Sequence, residues 1–130
     1  MHAQELGIAI GRGAAGTNNA ITDVPGARVG HVTLIEGEGP LRPGHGPVRT
    51  GVTVVVPHEG HVWSEPVFAG VHQLNGNGEM TGTAWIEESG MLTSVVALTN
   101  THSVGVVRDA LVAEVVRTDG AGKVFWSLPV

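Results

Sequence analysis

The stretch Leu74-Asn75-Gly76-Asn77-Gly78-Glu79-Met80-Thr81-Gly82 constrains this chain more than any other. Asn-Gly repeats supply positive φ values and free amide donors, so the backbone turns sharply here, beside something it contacts. Regular structure must stop before the block and restart after it. The same economy runs through the chain: twenty of 130 residues are Gly, about double the usual share of roughly 7%. The glycines follow no period, which excludes a collagen helix and argues against a solenoid. Short elements joined by many tight turns are expected.

Residues 20–24 and 27–35 read as two strands about a Pro25-Gly26 turn, Pro25 presetting φ and Gly26 supplying the positive φ. Val29, His31 and Thr33 alternate with Val32 and Leu34, a half-buried pattern. Residues 36–47 form a Gly- and Pro-rich loop. The β-branched run Gly51-Val52-Thr53-Val54-Val55-Val56-Pro57 predicts a central strand, and residues 66–74 predict another that ends at the Asn-Gly block. A short helix spans residues 83–89, with Thr81 or Thr83 as N-cap and Gly90 as its stop. Residues 94–99 form a strand, and residues 103–117 the one long helix. That helix is apolar nearly all round, so it should be buried on several sides. After the turn Asp119-Gly120-Ala121-Gly122, a last strand runs through Val124, Phe125 and Trp126. Strands interleaved with two helices point to a mixed α/β (α+β) sandwich.

At 130 residues and 42% hydrophobic, the chain fits one domain with its own core. Its formal charge of −5 and scattered basic residues leave no phosphate-tracking stripe, so a nucleic-acid partner is excluded. Cysteine is absent, which removes disulfides, thiolate zinc sites and Cys nucleophiles. No apolar run reaches the length of a membrane span, and no basic, apolar leader is visible. A cytoplasmic protein is the expectation.

Several local patterns suggest chemistry and fail on their spacing. Gly11-Arg12-Gly13-Ala14-Ala15-Gly16 matches the dinucleotide fingerprint, but Pro25 and Gly26 follow too soon for the helix that fingerprint requires. His58-Glu59-Gly60-His61 puts its histidines at i and i+3 after a proline, where the zincin motif needs i and i+4 on a helix. A solvated turn is expected there, and no metal or cofactor. Glu87 and Glu88 are adjacent and diverge on a helix. Glu79 is either a structural carboxylate in a tight loop or a contact for a substrate amine. Asn100-Thr101-His102-Ser103 opens the long helix, with Thr101 or Ser103 as the plain N-cap reading. No serine sits in a nucleophile elbow. Trp126 is either core filler or a pocket wall.

Taken together, the longer motifs resemble the DmpA/BapA-type aminopeptidases, peptidase family S58. The resemblance runs from about Asn19 to Val130. It rests on Ile21-Thr22-Asp23-Val24-Pro25-Gly26 with Val29-Gly30-His31, on Arg49-Thr50-Gly51-Val52-Thr53, and on the block from Asn75 to Gly82. Trp85-Ile86-Glu87-Glu88-Ser89-Gly90, Thr99-Asn100-Thr101-His102-Ser103-Val104-Gly105 and Trp126-Ser127-Leu128-Pro129-Val130 complete it. It implies part of an α-β-β-α sandwich of the N-terminal-nucleophile-hydrolase type, made as a precursor that cuts itself into α and β chains. The new N-terminal Ser of the β chain then attacks the carbonyl of a substrate's first residue, and water releases it. Peptides, amino-acid amides and esters are the implied substrates, and a homotetramer the implied assembly.

Carried over residue by residue, the resemblance makes Trp126 a pocket-lining residue. It puts Asn75, Asn77, Glu79, Asn100 and His102 at the border of the same substrate site. It yields no catalytic residue: there is no Gly-Ser or Asn-Ser bond to process, and the Glu and Tyr that follow the Trp-Ser-Leu-Pro segment in the family are missing. The expectation is therefore a single, incomplete domain, the N-terminal portion of an α chain, inactive without the remainder of that chain and its β chain. Two alternatives stand beside it. One is a non-catalytic module binding a small molecule or peptide with the same loops. The other is an acyltransferase like ornithine acetyltransferase, which uses a Thr nucleophile.

Overall fold

The computed structural model describes residues 3–119 and 128–130. Among them, the long strands β1 (Arg28–Glu36) and β2 (Val48–Val56) pair antiparallel over their full length, and β5 (Val96–Leu98) pairs antiparallel with the other side of β2. The β-branched run is central, as its composition demands: β2 has a strand on each side. A two-residue pair, β3 (Val67–Phe68) with β4 (Met91–Leu92), lies apart from this sheet. Helix α1 spans Thr83–Ser89 and helix α2 spans Val104–Asp119.

Because side chains alternate across a strand, the register sorts the sheet into two faces. Val52, Val54 and Ala97 share one, and α2 lies over it. Val104 and Val107 from the helix, Ala97 and Val130 form the buried core, with Val52, Val54 and Leu111 packed around it. Ala97 is wholly inaccessible to solvent. The other face carries the rows Val29–Val55–Val96 and His31–Thr53–Leu98. There Leu98 is 49% exposed and Ile35 64%.

Four expectations need correction. Residues 20–24 are not a strand: Ile21–Asp23 is a 3-10 turn, because the Asp23 carboxylate gathers the backbone amides of Asn18 (2.9 Å) and Ala20 (3.1 Å) and bends the segment round itself. The strand expected over 66–74 shrinks to Val67–Phe68, since β4 offers only two residues to pair with. Gly82, not a threonine, caps α1, in the left-handed conformation and with no side-chain cap. The Thr81 hydroxyl is engaged elsewhere. Finally, α2 is covered on one side only: Val106 is 68% exposed, because no described element reaches that side. The turn at Pro25-Gly26 and the stop at Gly90 are both as expected, with φ of +84° and +70°. The strand through Val124, Phe125 and Trp126 falls outside the described residues.

Candidate functional site

The Asn-Gly block makes its turn in a different way from the one its glycines suggest. Gly76 and Gly78 keep ordinary φ, and Gly82 is the left-handed residue of the block. The turn is held by Asn75, whose Oδ1 accepts the backbone N–H of Asn77 at 2.9 Å, an Asx-turn. A Cβ placed on Gly76 or Gly78 would meet nothing within 4 Å, so the loop is open on those sides. Asn75, Gly78 and Glu79 line a cleft of about 610 Å³ together with His72 and with Thr83 and Glu87 of α1.

The foot of this loop is fastened to the end of the chain. The Thr81 hydroxyl donates to the carbonyl of Leu128 at 2.6 Å, and its backbone N–H to the carbonyl of Val130 at 3.2 Å. The same segment reaches the sheet. The Ala97 N–H donates to Pro129 at 3.0 Å, and the Leu128 N–H donates to Ser94 Oγ at 3.0 Å. Leu128 is buried and holds a φ of +47°. A branched residue in the left-handed region carries local strain, which persists only where its surroundings over-determine it. Here four hydrogen bonds and the core contact of Val130 do so. Residues 128–130 thus tie the Asn-Gly loop to β5.

At the other end of β5, the Thr99 hydroxyl donates to the Gly51 carbonyl at 3.0 Å. Asn100 follows with both ends of its side chain engaged. Its Oδ1 accepts the His102 N–H at 3.1 Å, and its Nδ2 donates to Thr50 Oγ1 at 2.7 Å and to Ser103 Oγ at 2.9 Å. Asn100 rather than Thr101 or Ser103 is the cap, and it fastens the start of α2 to β2. His102 is exposed beside it.

Of the site residues named from the sequence, Asn75 and Glu79 line the cleft together. Asn77 lies in the same turn. Asn100 and His102 are not among the cleft's lining, and Trp126 is outside the described residues. Thr83, Glu87 and His72 were not singled out as cleft residues. The signal for two of them was available, since Thr83 and Glu87 are four apart on a helix and so share a face. Among the described residues, no group of three or more His, Asp or Glu could hold a metal ion. None of their helices is long and apolar enough to cross a membrane.

Comparison with known proteins extends this geometry. The family model for peptidase family S58 matches residues 19–130. The chain is 52% identical over 128 residues to the beta-peptidyl aminopeptidase BapA of Sphingosinicella microcystinivorans, covering 98% of this chain and 31% of that protein. Its structure is similar to a Burkholderia sp. beta-aminopeptidase, with a TM-score of 0.81 at 56% identity, over 97% of this chain and 34% of the other. It is also similar to the L-aminopeptidase D-Ala-esterase/amidase of Ochrobactrum anthropi, described as a prototype for the serine aminopeptidases and a variant of the Ntn hydrolase fold. There the TM-score is 0.74 at 44% identity, covering 98% and 35% of the two chains. The mixed α+β architecture is thus that of the Ntn-hydrolase variant. The chain spans about a third of the length of the relatives it matches.

Proposed function

The chain belongs to peptidase family S58, and from that premise we propose that it forms the N-terminal portion of a self-processing serine aminopeptidase or amidase. Its part is to wall the substrate site, with the nucleophile lying outside these 130 residues. The observation that carries the reading is the junction at Thr81. Two of the motifs shared with the family meet there, the Asn-Gly loop and residues 128–130, and Ala97 of the strand that leads to Asn100 joins them through Pro129. A loop held rigidly at its foot and open at its tip suits the recognition of a small terminal group.

In this reading Glu79, with Asn75 and Asn77 beside it, receives the substrate's free α-amine or β-amine. An ionised carboxylate is a pure acceptor and an ammonium a pure donor, so the Glu79 oxygens can accept N–H bonds from that amine. The resemblance to the family assigns Trp126, outside the described residues, to the substrate pocket. Asn100 keeps the start of α2 against β2, and His102 lies next to that anchor. The sheet face bearing Val29, Val55 and Leu98 packs against the remainder of the α chain and the β chain, in a homo-oligomer of such units.

Two measurements test this. Assayed alone on aminoacyl anilides and β-aminoacyl amides, these 130 residues should give no turnover above blank, and turnover that survives repurification overturns the placing of the nucleophile. In the protein expressed from its native locus, Glu79→Gln should raise KM by about tenfold or more with a smaller change in kcat, the pattern of lost ground-state binding. An unchanged KM overturns the amine contact.

A further inference from the structure

His58 lies on the loop between β2 and β3, and its imidazole is bracketed by two backbone carbonyls. Nδ1 is 2.5 Å from the carbonyl oxygen of Glu59 and Nε2 is 2.8 Å from that of Glu65. A carbonyl oxygen only accepts. Neutral imidazole has one N–H and one lone pair, so it satisfies one of these contacts and turns a lone pair towards the other oxygen; only the imidazolium donates to both. The stretch between the two carbonyls is a turn in which the His61 carbonyl accepts the N–H groups of Ser64 (3.0 Å) and Glu65 (3.1 Å). Its Val62 is buried, and Val62 and Trp63 wall an apolar cavity of about 170 Å³ against Leu111 and Val115 of α2.

We infer that His58 is a proton-operated clasp: as a cation it closes the loop 59–65 against the cavity, and as a neutral ring it lets one end of that loop go. The charged surroundings favour the closed form. The carbonyls of Glu59 and Glu65 and then the negative charge of Glu65 raise the pKa of His58 above its ordinary value. The turn packed against its Cα, at Gly26, is flanked by Asp23, whose carboxylate is engaged by Asn18 and Ala20, and by Arg28, which stands opposite Val56. On the loop itself, His61 stacks at a tilt with Trp63, ring centroids 6.2 Å apart. Across the cavity, Glu114 of α2 is paired with Arg117. The sign follows: a raised pKa means that the clasp is complete below the unfolded value of ~6.5 and is lost as pH rises through the higher folded value. The device is independent of the peptidase reading.

Ring-nitrogen NMR of this chain across pH tests it without any variant. The His58 ring should remain doubly protonated above pH ~6.5, the ordinary value of an imidazole. Protection of the Ser64 and Glu65 amides, corrected for intrinsic exchange, should then fall by about tenfold as His58 titrates. In His58→Gln that protection should be low and flat with pH. A His58 that is neutral at pH 6.5, or loop protection that ignores its titration, overturns the inference.

Discussion

Val52, Val54 and Ala97 on one face of the sheet are the same kind of residue as Val29, Val55 and Val96 on the other. The first set lies beneath α2 with Val130 against it; on the second face Val29 is 40% exposed and Leu98, in the next row, 49%. Strand composition therefore fixes neither burial nor stability. The hydrophobic effect is realised only where a second surface arrives to exclude water, and in these residues one surface has arrived. A strand that is apolar on both faces is the mark of a sheet meant to be covered twice.

Substitutions that separate the two faces sharpen the contrast. Ala97→Leu forces a larger side chain into the inaccessible centre of the covered face and should cost about 1–3 kcal/mol, read as a lower urea midpoint at unchanged slope. An unaltered midpoint means that the core beneath α2 is looser than its burial indicates. Thr81→Val removes the hydroxyl that holds the Leu128 carbonyl in half-buried surroundings, at about 1 kcal/mol. It should also loosen residues 128–130, seen as faster exchange of the Ala97 amide; slow exchange there breaks the link between loop and sheet.

The acid response of Asp23 comes next and is modest, because the group is only half-buried and solvent screens it. Backbone amides of Ala20 and Asn18, with the Asn18 side chain, hold its pKa below the ordinary carboxylate value. The stabilisation is therefore complete above the unfolded value of ~3.9 and disappears as pH falls through the lower folded value. Asp23→Asn should flatten that part of the stability–pH curve, and an identical curve removes Asp23 as the organiser of its turn. The smallest effect is on the bare face, where Leu98→Thr should change stability by less than about 0.5 kcal/mol. A loss comparable to that of Ala97→Leu means that this face is covered in solution after all.

How much of this was legible beforehand depended on the range of the interactions. The Pro25-Gly26 turn, the Gly90 stop, the central place of the Val52-to-Val56 run and the order of the family motifs are matters of a residue and its neighbours. Residues 20–24 looked like a strand because their composition is that of one. One carboxylate overrode it, through a contact that propensity does not count. Thr81 looked like a helix cap, but its hydroxyl is drawn 47 positions along the chain to Leu128. Asn100, placed at the substrate border by resemblance, also caps the turn into α2 through its bonds to Thr50, Ser103 and the His102 amide, and that structural role comes from a partner 50 positions away.

By itself, then, the sequence determined where the chain turns, which segments are strand or helix in the main, and which family it belongs to, since each is written in local sterics and in runs of adjacent residues. Only the tertiary structure decided which sheet face α2 covers, that Leu128 adopts a left-handed φ, and that the Asn-Gly loop is moored to β5 through residues 128–130. Those outcomes turn on hydrogen bonds and packing between positions distant along the chain, where the partner, not the residue, sets the energy.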